Sequence, residues 1–266
     1  QMNKNNLENK YNIIMPISNT NKIEKFIYDD IKFLESRNIK VGIIAARKGH
    51  NKNIHNLDSR LIIKFKDTIL LGIFPSIKNL NIISFIKESI NCTKNNNIGV
   101  LIAAYWIYIV SSTYKIKKIR CHFGDWKFAA SVIAKKLSKK RIIIDLIIHA
   151  HSIYTKKANK YLRKNITYAN TITTISNRNK EILCKQFGIN KFTNSIKVLK
   201  LPVNENNYRP KDNKEINILY CGRFTKRKGI EIFLSTIPKL INDTGINFKL
   251  VGIDGNVDVE YLVKKL

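Results

Sequence analysis

The 266 residues are 44% hydrophobic and 25% charged, an ordinary balance that allows a sizeable buried core and excludes a disordered chain. The charge is not ordinary: 48 Lys plus Arg against 19 Asp plus Glu give +29, a field suited to nucleic acid, anionic membrane or phosphorylated substrates. Asn, Ile and Lys recur throughout, as AT-rich coding produces, and the charge is spread rather than gathered into a basic arm, so no nucleic-acid partner is expected.

In chain order, short apolar runs alternate with helical patterns, the signature of βαβ units around a parallel sheet. Tyr11–Met15 and Lys40–Ala46 read as strands flanking a helix near Ile23–Arg37. Ile98–Tyr114 carries no charge, but its strongly apolar part ends at Val110, short of the roughly 20 residues a spanning helix needs, so a buried or interfacial helix is expected. Ile119–Cys121 is a short strand, followed by a helix near Phe128–Leu137. Strands Arg141–Ile147 and Thr171–Ser176 enclose a helix near Lys157–Tyr168, and Asn177–Phe187 is a helix closed by Gly188. Ile196–Leu201 is a strand ending at Pro202. Beyond a polar linker the pattern restarts with strand Ile216–Gly222. A helical face follows (Ile230, Phe233, Leu234, Ile237, Leu240, Ile241), then strand Asn247–Ile253. The expected organisation is a Rossmann-like domain over 1–203, a linker over 204–213 and a partial second domain over 214–266.

Cys92, Cys121, Cys184 and Cys221 form no CxxC pair, so neither a zinc ribbon nor a disulfide framework is indicated. With no apolar signal core at the polar N-terminus, a cytoplasmic location is expected. The chain opens on Gln1 and closes at Leu266 within an apparent amphipathic helix, which reads as a fragment truncated at its C-terminus and perhaps at both ends.

The strongest chemical candidate is Tyr220-Cys-Gly-Arg-Phe-Thr-Lys-Arg-Lys-Gly229, between a strand and a helix. Gly222 is expected to let the backbone turn tightly without a Cβ clash. Arg223, Lys226, Arg227 and Lys228 then gather cations at the carboxyl edge of a parallel sheet, beside a helix N-terminus, which suits a diphosphate. By residue types alone, a solvated basic loop explains them as well.

This stretch resembles the donor-domain loop of family 4 glycosyltransferases, in which G-R and, further on, K-G grip a nucleotide-sugar diphosphate. The resemblance assigns that role to Gly222, Arg223 and Lys228, and makes Gly252-Ile-Asp-Gly255 similar to the family's glycine turn, with Gly252 and Gly255 as donor-loop residues. Upstream, Glu24-Lys-Phe-Ile27, His122-Phe-Gly-Asp-Trp126, Ile148-His-Ala-His-Ser-Ile-Tyr154, Ala169–Ser176 and 196–210 resemble further family segments in the same order. No one of them is specific; the order is.

The resemblance implies a GT-B fold, α/β with two Rossmann-like domains and the second incomplete. It implies a hexosyltransferase-type transfer from a nucleotide-diphosphate sugar to a polysaccharide, lipopolysaccharide or lipid-linked acceptor, retaining and metal-independent. The nucleotide sugar is then a substrate, and no resident cofactor is expected. His149 is implied as the catalytic contact, a neutral imidazole donating to a sugar hydroxyl or a developing charge. His151 is left as a surface residue and His122 as a minor structural one. Ser152 stands where the family usually has Asp. Asp125 and Asp145 form no acid/base pair, and no Asp-x-Asp metal motif occurs. The family's later glutamate pair falls beyond Leu266, so weak donor affinity and turnover are expected of this chain.

The basic charge and the Ile98–Val110 helix are compatible with docking on an anionic inner membrane face. A nucleic-acid-binding protein and a non-catalytic membrane-associated scaffold are the alternatives from other classes. An epimerase of the same fold suits the Arg-x4-Lys-Gly loop less well.

Overall fold

The structure, a computed structural model, describes residues 10–20, 23–47, 62–63, 76–187, 196–200, 216–240 and 246–253. The chain divides into two compact units, residues 1–202 and 203–266. Gly188, Ile241, Gly255 and the expected linker lie outside the described residues.

Unit 1 holds six parallel strands: β1 (Ile13–Asn19), β2 (Val41–Arg47), β3 (Lys118–His122), β4 (Ile143–Ile148), β5 (Thr171–Thr174) and β6 (Ile196–Val198). They lie in the order β2-β1-β3-β4-β5-β6. The chain adds β2 on one side of β1 and the later strands on the other, which makes the β1/β3 junction a topological switch point. The helices are α1 (Lys25–Ser36), α2 (Ile82–Lys94), α3 (Ile98–Thr113), α4 (Trp126–Leu137), α5 (Ala150–Tyr154), α6 (Lys156–Asn165) and α7 (Asn177–Phe187).

Period-2 alternation splits the strands between two cores. Ile14, Ile119, Cys121, Ile144, Leu146 and Ile148 point to one face, against Tyr108 of α3 and Phe128 and Leu137 of α4. Ile13, Met15, Ile17, Val41 and Ile43 point to the other, where Ile27, Ile31 and Leu34 of α1 cover them. On this second face β3, β4 and β5 carry Arg120, His122, Asp145, Ile147, Thr171 and Thr173, which line a cavity rather than a packed core.

Two strands differ instructively from expectation. β1 runs on through Pro16 to Asn19. The β1–β3 register covers only Ile13 and Ile14, so the missing N–H of Pro16 interrupts no ladder on that side. β4 starts at Ile143, two residues later than expected. The apolar stretch forms α3, and its C-terminal half, from Ala104 to Ser111, is core, so only its first turns are open to solvent. Among the described residues no helix is long and apolar enough to cross a membrane.

In unit 2, β7 (Ile216–Arg223) and β8 (Ile246–Ile253) pair in parallel from Ile216↔Ile246 to Arg223↔Ile253. Helix α8 (Ile230–Leu240) buries Ile230, Leu234 and Ile237 against Tyr220, with Phe233, Phe248 and Leu250 around them.

Candidate functional site

Parallel pairing sets His122, the last residue of β3, opposite Ile147 of β4, so His122 and His149 emerge side by side at the carboxyl edge of the sheet. Their rings lie 18° from parallel at 5.6 Å, with His122 Nδ1 3.3 Å from His149 Nε2. The other nitrogen of His122, Nε2, is 3.0 Å from Asp30 Oδ2 on α1, and Asp30 Oδ1 accepts from Arg120 Nη1 at 2.8 Å. Arg120, Asp30, His122 and His149 thus form one hydrogen-bonded line.

The protonation of that line follows from what each group can do. Burial works against the Asp30 carboxylate, but the hydrogen bond from His122 and the Arg120 guanidinium outweigh it, holding the carboxyl below its usual range. A carboxylate only accepts, so His122 Nε2 carries the hydrogen. One of the facing nitrogens, His122 Nδ1 or His149 Nε2, donates to the other, and the tautomers of the two rings set which. Burial first, and His122 next, push His149 from the usual 6.5 down to about 4 against the pull of Asp30, so it is neutral at physiological pH.

Aromatic rings hold His149 in place: Phe26 of α1 lies 4.3 Å from it and Phe123 4.9 Å. Phe123 adopts φ 75, a left-handed conformation that a bulky side chain takes only at a cost of roughly 1–3 kcal/mol. Next to it, Gly124 N–H donates to the buried Ser152 hydroxyl at 2.8 Å. The side chain at 152 therefore ties the β3 corner to α5, a task its oxygen performs without a carboxylate.

The cavity beside this line has a volume of about 410 Å³, with polar Arg120, Asp145, Thr171 and Thr173 on its sheet side and Phe26 and Phe33 on its α1 side. Asp145 is committed to structure: Lys118 Nζ stands 2.8 Å away and Thr171 Oγ1 donates at 2.7 Å. Asp125 caps α4 by accepting from Lys127 N–H and pairs with Lys127 Nζ. Neither is free to act in an acid/base pair. His151 is exposed, with Nδ1 3.1 Å from Thr155 Oγ1 and its ring edge-on to Phe123 at 6.1 Å. Among the described residues no three His, Cys, Asp or Glu side chains converge as metal ligands would.

In unit 2 the cationic corner follows β7. The Arg223 carbonyl accepts from the Tyr220 hydroxyl at 3.0 Å and from Thr225 N–H at 2.9 Å, which pins the corner. A 3-10 turn over Lys226–Lys228 and Gly229, at φ 72, lead into α8. Arg223 and Lys228 are exposed, and among the described residues neither has an ion-pair partner, whereas Lys226 lies 3.8 Å from Glu231. The glycine requirement is not where the sequence put it. A Cβ on Gly222 would meet nothing nearer than the Tyr220 hydroxyl at 3.8 Å, so the turn does not need a glycine there. A Cβ on Gly252 would collide with the Gly222 carbonyl and stand 2.6 Å from the Phe224 ring. Gly252 lies inside β8, its small size serving close strand approach rather than a turn.

Sequence reasoning named His149, Arg223 and Lys228 as candidates and did not name Asp30 and Arg120, which the structure joins to His122. Asp30 belongs to no motif, and its 92-residue separation from His122 leaves no local signal.

No protein-family model matches the chain, and no curated protein matches it by sequence. Solved structures share its fold, two glycosyltransferases among them. A glycosyltransferase from Rickettsia africae ESF-5 is 17% identical with a TM-score of 0.60, over 97% of this chain and 64% of its own length. The apo form of WaaB, a lipopolysaccharide outer core galactosyltransferase, is 19% identical with a TM-score of 0.55, over 95% and 63%. The fold is therefore α/β of the GT-B glycosyltransferase type, and the chain spans less than two thirds of either structure.

Proposed function

We propose that the chain belongs to a family 4-like glycosyltransferase that moves a sugar from a nucleotide-diphosphate donor to a hydroxyl of an envelope glycan or lipid-linked acceptor. The observation that carries the reading is the pair of uncommitted cations, Arg223 and Lys228, at the carboxyl end of a parallel strand and just before a helix N-terminus. That is where open α/β sheets take phosphates, through charge-assisted contacts and the helix dipole. The fold shared with two glycosyltransferases supports the same reading.

In unit 1 the acceptor occupies the cavity beside His149, whose neutral ring hydrogen-bonds the incoming hydroxyl and orients its oxygen. In the transfer, the bond from the anomeric carbon to the diphosphate oxygen breaks, a bond to the acceptor oxygen forms, and the hydroxyl proton leaves with the diphosphate. Retention, metal independence and action at the inner membrane face belong to the proposal, as does weak turnover by these 266 residues alone.

Titration of the chain with UDP and GDP tests the donor site. Arg223→Ala removes a charge-assisted contact worth about 1.5–3 kcal/mol and is expected to weaken binding by roughly ten- to a hundredfold. Equal affinity in wild type and variant refutes the diphosphate role.

A further inference from the structure

Helix α2 turns the wrong residues outward for a helix of a globular core. Ile82, Ile83, Ile86 and Ile90 fall within an arc of about 100° at the helical 100° per residue, yet each is more than half exposed, Ile83 reaching 81%. The packed side of α2 is carried instead by Glu88, Cys92 and Phe85. The first turns of α3, which packs against α2, add Ile98 and Ile102, also more than half exposed. A cluster of this kind on a single unit marks a contact surface.

The charges around it decide what the contact is. Lys78, Lys87 and Lys94 are exposed on and beside α2, and the single carboxylate between residues 76 and 113, Glu88, is buried and paired with Lys136 Nζ at 2.8 Å. A second copy of the chain would bring lysine against lysine with no exposed acid nearby to offset them. An anionic bilayer supplies both complements, acyl chains for the isoleucines and headgroup phosphates for the lysines.

We propose that the outer face of α2, continued by the first turns of α3, docks the protein on an anionic lipid surface. The proposal builds on the envelope-acceptor reading above, but its test needs no sugar nucleotide, so either can fail without the other. It also moves the membrane contact from the Ile98–Val110 helix, most of which is core, to a helix of mixed sequence.

The test is cosedimentation of the 266-residue chain with vesicles of phosphatidylcholine alone and of phosphatidylcholine mixed with phosphatidylglycerol. The wild type is expected to bind the mixed vesicles, less so at high salt, and the neutral ones poorly. Ile83→Asp/Ile86→Asp should weaken that binding by more than about tenfold, since two apolar side chains leave the headgroup region and two negative charges replace them. Lys78→Glu/Lys87→Glu should weaken binding to the mixed vesicles by at least about tenfold. All four side chains are exposed, so urea midpoints should match wild type and show that folding is intact. Failure of the wild type to bind, or undiminished binding by both folded variants, overturns the proposal. So does a dimer that the isoleucine variant breaks while vesicles capture neither protein.

Discussion

Replacing His149 by Gln isolates the titration of one buried imidazole. In the folded chain His149 protonates at about 4, against the usual 6.5 once unfolding returns it to water. Between those values the unfolded state binds a proton that the folded state refuses, so acid favours unfolding. The contribution is intact above about 6.5, declines as pH falls, and is fully lost below about 4. The difference of about 2.5 units, at about 1.36 kcal/mol each, sets a loss of about 3 kcal/mol across the window. Asp30, Arg120, His122 and the exposed His151 stay in both proteins, so subtracting the two pH profiles removes their contributions to first order. The assay is urea unfolding of wild type and His149→Gln at a series of pH values from neutral to about 4. The variant lacks the hydrogen bond to His122 and starts less stable, but its profile should be flatter by about 3 kcal/mol. Parallel profiles would refute a His149 held neutral by burial.

Other substitutions test the supports of the two sites. Ser152→Ala strands the buried Gly124 N–H and should cost about 1–3 kcal/mol, read as a lower urea midpoint. Gly252→Ala forces a methyl group onto the Gly222 carbonyl and the Phe224 ring and should destabilise the chain by about 1–3 kcal/mol. Gly222→Ala makes only ordinary contact with the Tyr220 ring and should stay within about 0.5 kcal/mol of wild type in the same assay. An equal effect from the two glycines would show that the strand pairing of unit 2 is wrongly placed.

The α/β class was legible because strand alternation and helix periodicity are local properties, carried by runs such as Ile143–Ile148 and by the Ile230, Leu234, Ile237 face. The 222–229 corner was legible because its cations and glycines are contiguous in the chain. The Asp30–His122–His149 line was not, because it joins α1, β3 and the end of β4, and only the parallel register brings those three together. The correction at Gly222 has the same origin: whether a Cβ fits depends on the strand alongside, which the residue's own neighbours in sequence do not specify. Helix α2 shows the limit most clearly. Periodicity tells which residues share a face, and its isoleucines look like a core stripe, but packing on α3 and α4 turned Phe85 and Cys92 inward and left the isoleucines out. A repeat in sequence has no inside or outside until other elements close on it.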